Sequence, residues 1–347
     1  MSLSSSRSRA DPTNVFCTVR GRGLTTLSSS LSWRDDSDMT SVIRSRPAEK
    51  GLSGFKSQAG RGEYCTAYDQ TMRLWPVPFK DYEIPTSFGI THLVASGPRE
   101  APPLMLFHAT GMSSTQWFPN IGALSEAHRV YVLDIMGEPG KSLQEALLRN
   151  EEDCAGWIHQ VLDGLGIERA QVAGSSFGGW LTLNFVLRAP ERVVKAVLLS
   201  PAGTLLPFTA PVHLLLRLKP YIPIEPSPRR VLRMFFGDFP VHPDFAEQWA
   251  LGIQHFRYAN PRRSIFARPF SEEQLRSVQV PTLLLIGDRE RIYDGRAALE
   301  QGRRLIPHLD WALVPDAGHI LAMEQPDMVN RYILDFLDKA SLAGAQS

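Results

Sequence analysis

Short apolar runs alternate with longer segments of helical periodicity along most of the chain after about Tyr64. Continuous apolar runs of this kind are typical of strands that are buried on both faces of a parallel sheet. Their alternation with helical segments predicts an α/β fold with a mostly parallel central sheet and helices on both faces. The predicted strands lie at residues 89–95, 104–108, 130–135, 171–174, 194–200, 282–287 and 310–314.

The clearest predicted helix is the last one. Val329, Ile333 and Phe336 fall at helical spacing, and charged residues such as Arg331 and Asp335 occupy the opposite side. This amphipathic pattern predicts a helix that packs its apolar side against the sheet.

The region from Pro201 to Phe270 interrupts the alternation, because it is rich in proline and in large apolar residues. A structureless loop of this length is uncommon in a compact domain. We therefore expect a mostly helical cap, or lid, at residues 204–270, inserted into a core formed by residues 61–203 and 271–347. Residues 1–60 are predicted to form an N-terminal extension.

The start of the chain has a different composition. Its first thirty-four residues are rich in serine and arginine, and Asp11 is their only acidic residue. Such a composition is typical both of a disordered extension and of an organelle transit peptide. We expect a cytoplasmic protein with a disordered extension, whose deletion leaves activity nearly intact.

The overall composition favours a small-molecule partner. The 347 residues are 43% hydrophobic, and 37 basic side chains nearly balance 36 acidic ones. This balance gives no reason to expect binding to nucleic acid.

The cysteines, Cys17, Cys65 and Cys154, are widely spaced, so neither a disulfide framework nor a metal site is expected. No apolar run approaches the roughly 20 residues of a membrane span. The sequence leaves the oligomeric state open.

One glycine-rich stretch, VAGSSFGGW, contains two adjacent serines. A nucleophile on a sharp strand-to-helix turn needs small residues two positions before and two after it. Gly174 and Gly178 flank Ser176 in this way, whereas Ala173 and Phe177 flank Ser175. Ser176 is therefore the candidate nucleophile.

A serine nucleophile needs a base and an acid that orients the base. His319 lies between a predicted strand and the last helix, where a loop can place its ring over the carboxyl edge of the sheet. The strand at residues 282–287 is followed by three candidate acids, Asp288, Glu290 and Asp294. The chain order of serine, acid and histidine is that of the α/β hydrolases.

With these elements in order, residues 75–339 resemble the α/β-hydrolase superfamily, and most closely its lid-bearing bacterial carboxylesterases. The matching stretches are HATGMSSTQW at residues 108–117, GSSFGG at the serine, GDRERIYD after the strand and DAGHILAMEQP at the histidine. The resemblance implies that Glu290 is the acid, with Asp288 as the alternative. It also implies that the backbone N–H groups of Thr110 and Phe177 form an oxyanion hole.

Two positions depart from the usual pattern of that superfamily. Ala109 stands where glycine usually follows the histidine of the oxyanion loop, and Glu290 stands where aspartate is more common. Glutamate is one methylene longer, so it can still reach the same imidazole nitrogen.

The resemblance implies a serine hydrolase that cleaves small to medium apolar or aryl carboxylic esters through an acyl-enzyme, without cofactor. Aromatic residues such as Trp117, Phe118 and Trp180 are candidates for an apolar substrate pocket or for ordinary core. Other reactions on the same triad stay open: lactone opening, amide cleavage, carbon–carbon hydrolysis and perhydrolysis. Carbon–carbon hydrolases typically have tryptophan after the histidine, where this chain has Ile320. A non-catalytic small-molecule receptor on the same fold is a further alternative.

Overall fold

The computed structural model describes residues 51–210, 212, 228–260 and 263–339. The strands within this part of the chain are β1 (Gly54–Phe55), β2 (Phe79–Thr86), β3 (Gly89–Ser96), β4 (Pro103–Phe107), β5 (Arg129–Leu133), β6 (Leu143–Gln144), β7 (Ala170–Ser175), β8 (Val193–Leu199), β9 (Phe256–Arg257), β10 (Thr282–Gly287) and β11 (Leu309–Val314). The helices are α1 (Gln58–Thr71), α2 (Ile121–Ala127), α3 (Glu151–Gly164), α4 (Phe177–Arg188), α5 (Pro228–Phe236), α6 (Pro243–His255), α7 (Glu272–Arg276), α8 (Gly295–Leu305), α9 (Leu321–Glu324) and α10 (Pro326–Asp338).

The central sheet has nine strands in the described part of the chain, in the order β11-β10-β8-β7-β4-β5-β3-β2, with β6 paired to β3. The run from β11 to β5 is parallel, and β3 pairs antiparallel with β2, β5 and β6. All seven predicted strands are present, and the mostly parallel sheet confirms the predicted fold class. The carboxyl ends of the parallel strands therefore lie along one edge.

Helices cover both faces of this sheet, and each face has its own apolar core. On one face, α3 and α4 contribute Trp157 and Trp180 to a large buried cluster. On the other face, α1 and α10 contribute Tyr68 and Phe336 to a second cluster. Successive residues of β7 alternate between the two clusters, because adjacent side chains of a strand point to opposite faces.

The sequence pattern missed β1, α1 and β2, which lie near the start of the described chain. Strand β2 is largely exposed and contains charged residues and Pro85, so it lacks the apolar run of a buried strand. Helix α1 contains two glycines and shows little segregation of apolar from polar positions. The predicted boundary at residue 60 falls inside α1.

Within the predicted cap, residues 204–270, the described residues include helices α5 and α6. Helix α6 packs against α1. Residues 1–50, which include most of the predicted N-terminal extension, lie outside the described part, as do residues 213–227 of the cap. No helix that the structure describes is both long and apolar enough to cross a bilayer.

Candidate active site

Ser176 lies on the turn between β7 and α4, at the carboxyl edge of the sheet. Its backbone has φ 55° and ψ −115°, a conformation that L-residues rarely adopt. The turn is held from two sides, because the Ser176 N–H donates to the Leu199 carbonyl and its own carbonyl accepts from Trp180. This geometry presents the Ser176 hydroxyl at the N-terminus of α4.

The two flanking glycines are needed because the chain approaches itself closely at this turn. A β-carbon on Gly174 would lie 2.1 Å from the Gly178 carbonyl oxygen, and one on Gly178 would lie 2.3 Å from the Phe107 carbonyl oxygen. The neighbouring Ser175 is fully buried in β7, and its hydroxyl has no partner among the described residues. The local structure therefore agrees with Ser176, and not Ser175, as the residue that needs the two flanking glycines.

His319 bridges the serine and an acid. Its Nε2 lies 2.8 Å from the Ser176 Oγ, and its Nδ1 lies 2.7 Å from the Glu290 Oε2. Because a carboxylate can only accept, Nδ1 carries the proton and Nε2 is free to accept from the Ser176 hydroxyl. The side chains of His319 and Glu290 are each 1% exposed.

The three carboxylates that follow β10 have different positions. Glu290 contacts His319, and its other oxygen accepts from the backbone N–H groups of Arg291 and Ile292 at 2.8 Å each. Asp294 is the N-cap of α8 and accepts from the Ala297 N–H. Asp288 is exposed. The structure thus brings Glu290, and not Asp288, to the histidine.

Two backbone N–H groups near Ser176 are candidates for an oxyanion hole. Phe177 is the first residue of α4, where N–H groups have no acceptor inside the helix. Thr110 lies in the loop after β4. Among the described residues, neither N–H donates to another protein group. In this part of the chain, neither predicted donor is occupied by a protein acceptor.

Buried side chains hold the loop that contains Thr110. His108 donates from Nδ1 to the Ala109 carbonyl and accepts the Ile135 N–H at Nε2, so the ring is neutral. Burial lowers the pKa of His108 to about 4. Gln116 accepts the Ala109 N–H at 2.7 Å. Ala109 does not have a positive φ, so its β-carbon introduces no backbone strain where glycine is usual.

Two further carboxylates support the site, and sequence patterns predict a role for neither. Glu138 accepts the Gly111 N–H at 2.7 Å and the Tyr258 hydroxyl at 3.1 Å. Glu324 accepts the N–H groups of the residues on either side of His319. Glu324 lies within the DAGHILAMEQP stretch, but its role depends on a turn that sequence patterns do not specify.

Aromatic residues of the cap region cover the histidine. The Phe235 ring of α5 lies 5.8 Å from the His319 ring, and Trp249 of α6 packs edge-on against Phe235. Of the predicted pocket aromatics, Trp117 is fully buried in the core, and Trp180 is stacked between Phe177 and Phe270.

Phe118 packs beside Phe245 of α6. A cavity of about 230 Å³ adjoins His319, with Phe235, Arg291 and Glu324 in its lining.

Among the described residues, no group of three or more His, Cys, Asp or Glu side chains is arranged to hold a metal ion.

The fold and this constellation define an α/β hydrolase, and comparison with known protein families agrees. Residues 104–332 match the model of the alpha/beta hydrolase family, so the chain belongs to this family.

Similar proteins include carboxylesterases from Bacillus subtilis. The chain is 40% identical over 279 residues to the uncharacterized carboxylesterase nap, covering 79% of this chain and 92% of that protein. The crystal structure of carboxylesterase CesB (YbfK) is 36% identical, with a TM-score of 0.76, over 82% of this chain and all of that one. That of naproxen esterase is 39% identical, with a TM-score of 0.75 and the same coverage. These findings confirm the expectation of a carboxylesterase-like α/β hydrolase.

Proposed function

We propose that this protein hydrolyses carboxylic esters with Ser176 as nucleophile, His319 as general base and acid, and Glu290 as the group that orients His319. The observation that carries the proposal is the His319 ring, which makes hydrogen bonds to Ser176 and Glu290 at the same time. The similarity to carboxylesterases supports ester hydrolysis as the reaction.

In the first half of the reaction, the Ser176 oxygen attacks the ester carbonyl carbon while His319 Nε2 takes the hydroxyl proton. The carbonyl oxygen becomes an oxyanion, which the N–H groups of Thr110 and Phe177 stabilise. Each such donor typically contributes about 3 kcal/mol to transition-state stabilisation. The carbon–oxygen bond to the alcohol then breaks, and His319 returns its proton to the leaving alkoxide.

In the second half, a water molecule attacks the acyl-enzyme. His319 removes a proton from that water, a second tetrahedral intermediate forms, and the bond to Ser176 breaks as the proton passes back to the serine oxygen. Glu290 keeps the proton on Nδ1 throughout and stabilises the imidazolium that forms in each half. No metal or cofactor takes part in these steps.

The aromatic and apolar side chains around His319 support esters with apolar or aryl groups as substrates. One relative is named for naproxen, an aryl-substituted acid, which agrees with this substrate class.

The proposal is tested with p-nitrophenyl esters and two adjacent serine variants. We expect Ser176→Ala to lose turnover by about 10⁴-fold or more while the protein stays folded, because the nucleophile is gone. Ser175→Ala is the matched control and should retain most activity. A fluorophosphonate inhibitor should add its mass to the wild-type protein and not to Ser176→Ala. Equal activity of the wild-type protein and Ser176→Ala would refute the proposal.

A further inference from the structure

Trp249 of α6 carries a buried hydrogen-bond donor that has no acceptor. Its side chain is 3% exposed, and its Nε1 has no partner among the described residues. A buried donor without an acceptor typically costs about 1–3 kcal/mol, so such a group calls for an explanation.

The unpartnered N–H lies next to the oxyanion loop. A β-carbon on Gly111, the residue after Thr110, would lie 3.4 Å from Trp249 Nε1 and 3.6 Å from the Tyr258 hydroxyl. The Tyr258 hydroxyl already donates to Glu138. Of the two polar atoms that face this side of Gly111, the indole N–H is therefore the one without a protein acceptor.

The position of Trp249 is fixed by the residue before it. Gln248 donates to the hydroxyls of Tyr64 and Ser113 and accepts from Thr115 at 3.0 Å. Ser113 and Thr115 follow the oxyanion loop in the same segment. These bonds attach α6 to that segment, so the indole N–H is held in place without a bond of its own.

Trp117 provides a contrast within the same protein. Its Nε1 is also buried without a partner among the described residues. However, its ring packs in the second apolar cluster, on the face of the sheet that α1 and α10 cover. Trp249 instead packs in a smaller cluster with Ala109 and Met112 of the oxyanion loop and Ile320 beside the histidine. Of these two indole N–H groups, that of Trp249 is the one beside the oxyanion loop.

We propose that the Trp249 indole N–H binds a hydrogen-bond acceptor in the acyl group of the substrate, and that the enzyme prefers esters whose acyl chain carries an ether or keto oxygen. This inference rests on the proposed function. It adds to that function a polar specificity contact within an otherwise apolar site.

The assignment to the acyl group follows from the geometry of the reaction. The alcohol oxygen must face His319 Nε2, which protonates it, and the carbonyl oxygen must face the Thr110 and Phe177 N–H groups. Trp249 lies beside the loop of Thr110, and the Phe235 ring packs against both Trp249 and His319. The alcohol group lies toward His319, so the acyl chain is the part of the substrate that extends toward the oxyanion loop and the Trp249 N–H.

The test uses p-nitrophenyl hexanoate and analogues in which an ether oxygen replaces the methylene at C3, C4 or C5 of the acyl chain. We expect the wild-type protein to favour one analogue, after correction for its rate of hydrolysis by hydroxide. Trp249→Phe should lower kcat/KM for that analogue about five- to tenfold more than it lowers kcat/KM for the hexanoate. The ratio between variant and wild type cancels the intrinsic reactivity of each ester.

Two variants complete the experiment. Trp117→Phe removes the other unpartnered indole N–H and should leave the preference for the analogue unchanged. Trp249→His retains a ring N–H and should restore part of that preference.

An equal loss on all esters in Trp249→Phe would show a purely apolar or oxyanion role and overturn the proposal. Absence of any preference in the wild-type protein would overturn it as well, even if Trp249→Phe fails to fold. Turnover of the hexanoate by the wild-type protein tests the proposed function separately.

Discussion

The carboxylate of Glu324 holds the backbone on both sides of His319. One oxygen accepts the Gly318 N–H at 2.7 Å, and the other accepts the Ile320 N–H at 3.0 Å. Burial raises the pKa of Glu324 above its ordinary value. His319 thus depends on two glutamates, since Glu290 orients its ring and Glu324 holds the peptide groups that carry it.

We predict that Glu324→Gln lowers kcat by about tenfold or more and changes KM little. The amide offers one acceptor in place of two, so one of the flanking N–H groups loses its partner and the histidine loop loosens. Steady-state kinetics on a p-nitrophenyl ester measure the effect. Asp327→Asn, which removes an exposed carboxylate in α10, is the control and should behave as the wild type. Similar kinetics for the two variants would contradict the role given to Glu324.

The choice between the candidate acids leads to a second prediction. Glu290→Gln should lower kcat by about 10³- to 10⁴-fold, because an amide can donate to Nδ1 and thereby favour the wrong tautomer of His319. Asp288→Asn should change kcat less than about twofold, as is usual for an exposed side chain without such contacts. A large loss in Asp288→Asn with a small one in Glu290→Gln would reverse the assignment.

A buried ion pair away from the catalytic residues lies between β3 and the end of β5. His92 Nδ1 lies 3.0 Å from Asp134, which is fully buried, and His92 Nε2 lies 2.9 Å from Asp81. Lys141 and the ring of Tyr68 also face this group. Burial alone would lower the pKa of His92, but hydrogen bonds to the two aspartates raise it to about 9.

This raised pKa predicts how stability varies with pH. A histidine whose folded pKa exceeds its ordinary value of 6.5 contributes stability that is fully present below 6.5 and is lost as pH rises through about 9. We therefore expect the difference in unfolding free energy between the wild-type protein and His92→Gln to be largest near pH 6 and to shrink toward pH 10. Urea denaturation across this range measures it. A difference that does not vary with pH would show that His92 is not protonated in the folded protein.

Local sequence patterns were sufficient where a strong constraint acts over a few residues. The parallel strands are predictable because burial on both faces demands apolar runs, and Ser176 is predictable because there is no room for a β-carbon at Gly174 and Gly178. The spacing of carboxylates after β10 left the acid open between Glu290 and Asp288. The resemblance to a family then favoured Glu290, which is the residue that contacts His319.

Contacts between distant segments could not be predicted in this way. The hydrogen bond that the Gly111 N–H donates to Glu138 joins the loops after β4 and β5, and nothing in either stretch indicates the pairing. The position of Trp249 beside the oxyanion loop depends on how Gln248 attaches α6 to residues more than a hundred positions earlier. Such contacts are products of the tertiary packing.

The pairing of β1 with β9 leads to a last prediction, which concerns where the N-terminus can be shortened. Gly54 and Phe55 pair with Arg257 and Phe256, directly after α6. The Phe55 ring packs 5.0 Å from that of Tyr64 in α1. The first residues after position 50 therefore tie α1 to the helix that carries Trp249.

We expect deletion of residues 1–50 to leave ester hydrolysis and thermal stability nearly unchanged. Deletion of residues 1–60 removes β1 and the Ser57 side chain, which caps α1 by accepting the Gly60 N–H. Loss of such a cap typically costs about 1 kcal/mol, to which the loss of the β1–β9 pairing adds. The longer deletion should therefore lower the melting temperature and the activity together, contrary to the expectation from the sequence that residues 1–60 can be removed with little loss of activity. Equal melting temperatures for the two truncated proteins would show that β1 contributes nothing to the stability of the site.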